Sequence, residues 1–187
     1  MSDADEAAQP WLVVIDAQRV FASPDSPWGS PMFPGIVEPV RRLAAAHSGR
    51  TVLTRWVAPE PARGSWAPYL DAWPFAHRPA DDPLFDLVDE VRDLAEPGHV
   101  VTAGTFGKWV PDLVALTGEA PHLVLAGVST DCCVVSSALA AADAGATLTV
   151  VTDACAGSTP ENHEAALHVL GLYPPQIALA RSEEVLG

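Results

Sequence analysis

Short, nearly unbroken apolar runs alternate with helix-period segments along this chain, and that alternation restricts the fold more than any other feature. Trp11–Ile15 is continuously apolar and ends at Asp16, the form of a parallel strand buried on both faces. Thr51–Thr54, His99–Thr102, His122–Val128, Thr147–Val151 and Gln176–Ala180 read as further strands. Between them lie segments with helical spacing: Ile36–His47, Pro83–Leu94, Pro111–Leu116, Val134–Ala144 and Pro160–Leu170. Six strands with intervening helices predict an α/β domain, a three-layer α/β/α sandwich on a six-stranded, mainly parallel, Rossmann-like sheet. Residues 1–9 read as a flexible acidic lead-in and 10–187 as one domain, a length ample for a single core.

Composition narrows the partners. A net charge of −14 argues against nucleic acid or an anionic membrane, since both need a basic surface. No apolar run approaches the roughly 20 residues that span a bilayer. The start, Met1 to Glu6, is acidic and lacks the basic and apolar regions of a signal peptide. Three cysteines, two of them adjacent, make a poor disulfide framework and suit a reducing cytoplasm. Their spacing matches no zinc pattern. Neither a dinucleotide-binding glycine motif nor a P-loop is present, so no nucleotide cofactor is expected.

In open parallel sheets, ligand sites form beyond the carboxyl ends of the strands, at a topological switch point. Asp16 ends the first strand, Lys108 follows the third, and Cys132–Cys133 follow the fourth. Three reactive groups therefore fall on one edge of the sheet. Any one alone has a plain reading: a packed thiol, a turn aspartate, a surface lysine. Together they fit nucleophilic catalysis. The thiols stand at a strand-to-helix turn, where unpaired N–H groups and the helix dipole are expected to lower a cysteine pKa. A cation stabilises the thiolate, a carboxylate takes and returns its proton, and the turn supplies N–H donors for an oxyanion. Neighbouring helical residues point about 100° apart, so at most one thiol is expected to face the site while the other packs aside.

Trp11 to Phe21 (WLVVIDAQRVF), Thr105–Lys108 (TFGK) and Gly127–Val134 (GVSTDCCV) resemble, in order, the motifs of the cysteine hydrolases of the isochorismatase-like superfamily. That superfamily includes nicotinamidases, N-carbamoylsarcosine amidohydrolases and streptothricin hydrolases. The resemblance implies Asp16 as general base, Lys108 as the lysine that lowers the thiol pKa, and Cys133 as nucleophile, Cys132 being a core residue. It also implies a cis peptide between Val128 and Ser129, with the N–H groups of Ser129 and Cys133 forming an oxyanion hole. The implied reaction cleaves a C–N bond of a small amide or lactam through a thioester. Relatives are often dimers or tetramers, so a homo-oligomer is expected.

Two departures matter. Nicotinamidases carry an Asp-x-His pair after the second strand to bind a metal; here Thr54–Pro59 reads TRWVAP, so no catalytic metal is expected. Isochorismatases lack the nucleophilic cysteine, so Cys133 favours amide hydrolysis. Phe21, followed by Trp56 and Trp66, are the expected substrate-binding aromatics. Arg55 and Arg63 are candidates to meet a substrate carboxylate. The alternatives are a non-catalytic module of the same fold, or an enzyme of the isochorismatase or nicotinamidase type.

Overall fold

The computed structural model describes residues 9–187. The acidic lead-in expected over residues 1–9 lies outside the described residues except for its last one. Six strands, β1 (Trp11–Ile15), β2 (Thr51–Trp56), β3 (Val100–Ala103), β4 (His122–Val128), β5 (Thr147–Ala156) and β6 (Ile177–Ala180), form one sheet. Its order is β3-β2-β1-β4-β5-β6 and every pairing is parallel. The expected three-layer sandwich is therefore present, with a wholly parallel sheet.

Side chains of the central strand part into two cores. Leu12 and Val14 face one side, against α2 (Phe33–Ala46) and α3 (Trp66–Ala72), where the last helix, α7 (Ser182–Leu186), and the short α1 (Arg19–Ala22) also pack. Val13 and Ile15 face the other, against α4 (Pro111–Thr117), α5 (Val135–Asp143) and α6 (Pro160–Leu170). Burial on both faces is why these strands show continuous apolar runs and no alternation. Proline opens α4 and α6, where its missing N–H costs nothing. Thr159 caps α6 by accepting from the Asn162 N–H at 3.2 Å.

Three stretches differ from the sequence reading. Pro83–Leu94 is not a continuous helix but two 3₁₀ turns, Pro83–Phe85 and Arg92–Leu94, joined by a short extended bridge at Leu87 and a turn closed on the Val88 carbonyl. Asp82 caps the first turn through the Leu84 N–H at 2.9 Å, and Leu87 then bridges to Gln18. Phe85, Val88 and Val91 still reach the core, so the apolar stripe is buried without a helix. Second, β5 runs five residues past Val151. Leu125 pairs with Val150 but Gly127 with Cys155, so β5 bulges between them. Asp153, on that bulge, accepts from the Ser182 N–H at 2.7 Å and hydroxyl at 2.8 Å, which anchors α7. Third, α1, α3 and α7 are too short to show a helical period in sequence. No helix among the described residues is long and apolar enough to cross a membrane.

Candidate active site

Strand order reverses between β1 and β4, so a crevice opens beyond their carboxyl ends. Two backbone features shape its floor. Asp16 has φ of 45°, a left-handed conformation that aspartate tolerates better than most side chains. Gly127, with φ of 112°, lies so close to β1 that a Cβ there would stand 2.1 Å from the Ile15 carbonyl oxygen. Only glycine lets β4 lie against the end of β1 at this point.

Asp16 and Lys108 are both 0% exposed. Thr54, at the middle of β2, fixes the aspartate twice: its hydroxyl donates to Asp16 Oδ1 at 2.7 Å and accepts from the Asp16 N–H at 3.1 Å. Lys108 Nζ lies 2.9 Å from Asp16 Oδ2. Nζ directs hydrogen bonds at the carbonyls of Thr105 and Phe106, at 2.6 and 3.0 Å, and Oδ2 receives none in good alignment. The pair is thus held by charge, and Oδ2 keeps an acceptor position open.

The thiols stand on Thr130–Val134, a single π-helical turn leading into α5. Such turns recur at functional sites. The peptide between Val128 and Ser129 is cis. Among the described residues, the N–H groups of Ser129 and Cys133 donate to no acceptor outside this turn. Ser137 links the turn to the lysine loop, accepting from the Lys108 N–H at 2.9 Å and donating to the Cys133 carbonyl at 2.6 Å. Thr130 shares a 2.9 Å hydrogen bond with His163 Nδ1 of α6. Asp131 accepts from the Ser158 N–H and hydroxyl, both at 2.7 Å.

The expected lowering of the cysteine pKa is not what the structure gives for Cys133. This thiol, 3% exposed, is raised well above the ordinary range by its hydrogen bond with Cys132, then by burial and the Asp16 charge. Lys108 opposes the shift, but its charge is already matched by Asp16. The shared hydrogen bond instead favours charge on Cys132, which is shifted down. Cys132 is also not a core residue: both thiols line the same cavity, because the π-wound turn presents successive side chains differently from an α-helix. Cys155, fully buried, is pushed up to about 12 by desolvation.

That cavity is about 200 Å³. A void of about 150 Å³ accepts benzene, so this one suits a single ring bearing a small group. Phe21, Trp28, Trp56, Tyr69 and Phe106 supply its aromatic wall, with Ser129, Asp131 and Ser158 as polar neighbours of the thiols. Phe21 and Trp56, two of the expected aromatics, thus line the cavity. Trp66 does not; it packs behind the wall, 4.8 Å from Phe106 and 6.4 Å from Trp56 between ring centroids. Arg55 is also absent from the lining, its guanidinium turned to the carbonyls of Phe85 and Ala80, and Arg63 is exposed elsewhere.

Trp28 is one of several loop tryptophans that the sequence offers as pocket candidates, whereas nothing in the local spacing of Tyr69 and Phe106 sets them apart from other aromatics. Burial and the nearby thiols push the Tyr69 phenol up to about 12, so it stays neutral. Gln18, also not foreseen, positions Trp56: its side chain donates to the Trp56 and Phe85 carbonyls at 2.9 and 2.7 Å and accepts from the Trp56 N–H at 2.7 Å. Among the described residues, no three His, Cys, Asp or Glu side chains converge as a metal donor set.

The same fold occurs in solved structures of low sequence identity. An isochorismatase-like hydrolase from Alkaliphilus metalliredigens is 20% identical, with a TM-score of 0.77 over 96% of this chain and 97% of that one. A cysteine hydrolase from Pseudomonas syringae is 16% identical, with a TM-score of 0.77 over 96% of this chain and 92% of that one. A Mar1 ribonuclease from Caenorhabditis elegans is 20% identical, with a TM-score of 0.69 over 96% of this chain and 80% of that one. A search of curated protein sequences finds no match. The family model of the isochorismatase domain matches residues 10–178, nearly the whole chain, which therefore belongs to the isochorismatase-like hydrolases.

Proposed function

We propose that this protein is a cysteine hydrolase that cleaves a C–N amide or lactam bond of a small molecule through a thioester, with no step that needs a metal. The observation that carries this reading is the meeting, at one switch point, of a cavity-lining thiol on a strand-to-helix turn with a fully buried carboxylate–ammonium pair.

Cys133 rests as a thiol, so its activation is coupled to attack: Asp16 takes the proton as Sγ bonds to the carbonyl carbon. The oxyanion so formed is met by the N–H groups of Ser129 and Cys133. The C–N bond then breaks as Asp16 passes its proton to the departing nitrogen, leaving a thioester. Water next gives a proton to Asp16 and attacks the thioester carbon; the C–S bond breaks and Asp16 returns the proton to Sγ. Lys108 stays charged throughout. Oδ2 of Asp16, free of an aligned donor, is the oxygen suited to carry the proton.

Ribonuclease activity, for which the Caenorhabditis elegans neighbour is named, finds no support in a cavity without a lining cation or in a chain of net charge −14. The test is a panel of small carboxamides and lactams assayed for ammonia or acid release. Cys133→Ser is expected to abolish turnover, whereas Cys132→Ser keeps kcat within about tenfold. A folded protein that cleaves no amide, or a Cys133→Ser variant that retains full activity, would sink the reading.

A further inference from the structure

The charge of the cavity lining has a sign. Of its ionisable groups outside the thiols and the neutral Tyr69 phenol, the lining holds one, the Asp131 carboxylate, and no lysine, arginine or histidine. Asp131 is half-buried, its oxygens receive bonds from Ser158 alone, and no basic side chain pairs with it among the described residues. The Lys108 charge reaches the thiols together with the opposite charge of Asp16, 2.9 Å from it, so the pair adds no net charge to the cavity.

The remaining wall is aromatic. Trp28 and Trp56 lie 5.5 Å apart with ring planes at 72°, and Tyr69 and Phe106 5.5 Å apart at 78°. These rings bring no positive charge to the cavity, and wherever a ring face borders it the π-cloud there is electron-rich. Such faces attract cations and repel anions, most strongly where water is excluded. The chain's net charge of −14 adds a field of the same sign outside.

We propose that this site selects a cationic substrate: a flat or compact carboxamide whose body, beyond the scissile carbonyl, carries a quaternary or protonated nitrogen held between the aromatic wall and Asp131. The inference rests on the amide-hydrolase reading for the bond that is cut, but not for the charge that is bound. Carboxylate-bearing amides are disfavoured by the same features. The residues that set this preference, Asp131 and Trp28, touch the substrate body and not the reacting atoms.

The experiment uses the full chain and three ring amides: 1-methylpyridinium-3-carboxamide, its neutral isostere 3-methylbenzamide, and anionic 3-carboxybenzamide. Binding to Cys133→Ala is read by tryptophan fluorescence, and turnover by the wild type as ammonia release. The cation is expected to bind about tenfold tighter than its isostere, and the anion on the order of tenfold weaker. The preference shrinks with added salt. Asp131→Asn is expected to narrow the cation-to-anion ratio about tenfold. Because Asp131 also holds Ser158, Trp28→Leu serves as a second probe and narrows the cation-to-isostere ratio. Equal binding of the three, tighter binding of the anion, or binding of none overturns the proposal. Preferential binding of the cation with cleavage of none keeps the charge preference and removes the amide-hydrolase reading.

Discussion

Replacing Thr54 by valine exchanges one hydroxyl for a methyl group and leaves the shape of the side chain nearly unchanged. Thr54 is fully buried, as is Asp16, so nothing from solvent can stand in for the lost oxygen. Two groups are stranded: the Asp16 N–H, which gave its bond to Thr54 at 3.1 Å, and Asp16 Oδ1, which accepted at 2.7 Å. A buried N–H without an acceptor costs about 1–3 kcal/mol, and a lost hydrogen bond to a charged group about 1.5–3 kcal/mol. The added methyl returns about 0.8 kcal/mol. The net loss is about 3 kcal/mol, which for a chain of 187 residues lowers Tm by about 6–12 °C. Asp16 also loses one of its two holds, so kcat is expected to fall about tenfold or more with KM nearly unchanged. Urea unfolding and steady-state kinetics read both effects, and Thr54→Ser, which keeps the hydroxyl, is the control. A Thr54→Val protein within about 0.5 kcal/mol of wild type would refute the description of Asp16 as a buried, Thr54-held carboxylate.

Cys133 is expected to react slowly with iodoacetamide at pH 7, at a rate that climbs through the alkaline range, because its thiol is raised. Peptide mapping by mass spectrometry assigns the label to Cys133 while leaving Cys132 in place, and Cys155 is buried with a pKa pushed up to about 12; rapid labelling of Cys133 independent of pH from 6 to 8 would contradict it. Burial lowers the pKa of His163, so the unfolded chain takes up that proton first. Its contribution to stability is whole above the ordinary imidazole value of 6.5 and is lost as pH falls through the lowered folded one. The slope of this loss is at most about 1.4 kcal/mol per pH unit, and His163→Gln is expected to flatten it in unfolding titrations from pH 7.5 to 5. An unchanged slope in that variant would remove His163 from the account.

Much of the architecture was readable because its determinants are local. Strands buried on both faces betray themselves as apolar runs, so Trp11–Ile15 and His122–Val128 match the structure residue for residue. Pro83–Leu94 misleads because an apolar stripe reports burial, not the path of the chain; Asp82 and Pro83 start a helical turn, and the bridge from Leu87 to the distant Gln18 ends it. The bulge in β5 depends on Gly127 of a neighbouring strand and leaves no local mark. At the site, Asp16, Lys108 and Cys133 could be brought together by topology alone. Thr54 and Gln18 could not, since both lie inside or beside strands and act through residues 38 positions away. Tyr69 and Phe106 meet at the cavity wall only through tertiary packing. The direction of the Cys133 shift was misread because a helix terminus and a lysine were visible in sequence, while complete burial and the prior claim of Asp16 on that lysine were not.

The buried pairing of Asp16 with Lys108 has a consequence for the reaction as a whole. At rest the aspartate, lysine and thiol together carry no net charge. In the proposed reaction, as the thiol proton passes to Asp16 the carboxylate is neutralised, the sulfur becomes negative, and Lys108 is left facing that new charge. When the negative charge moves on to the carbonyl oxygen, the sum is still zero. The three groups therefore pass one charge among themselves and the carbonyl oxygen and add none of their own to the interior. Charging a dry cavity is among the costliest things a protein can do. With the total charge of the three groups constant in the proposed reaction, the complete burial of Asp16 and Lys108 does not itself become a barrier.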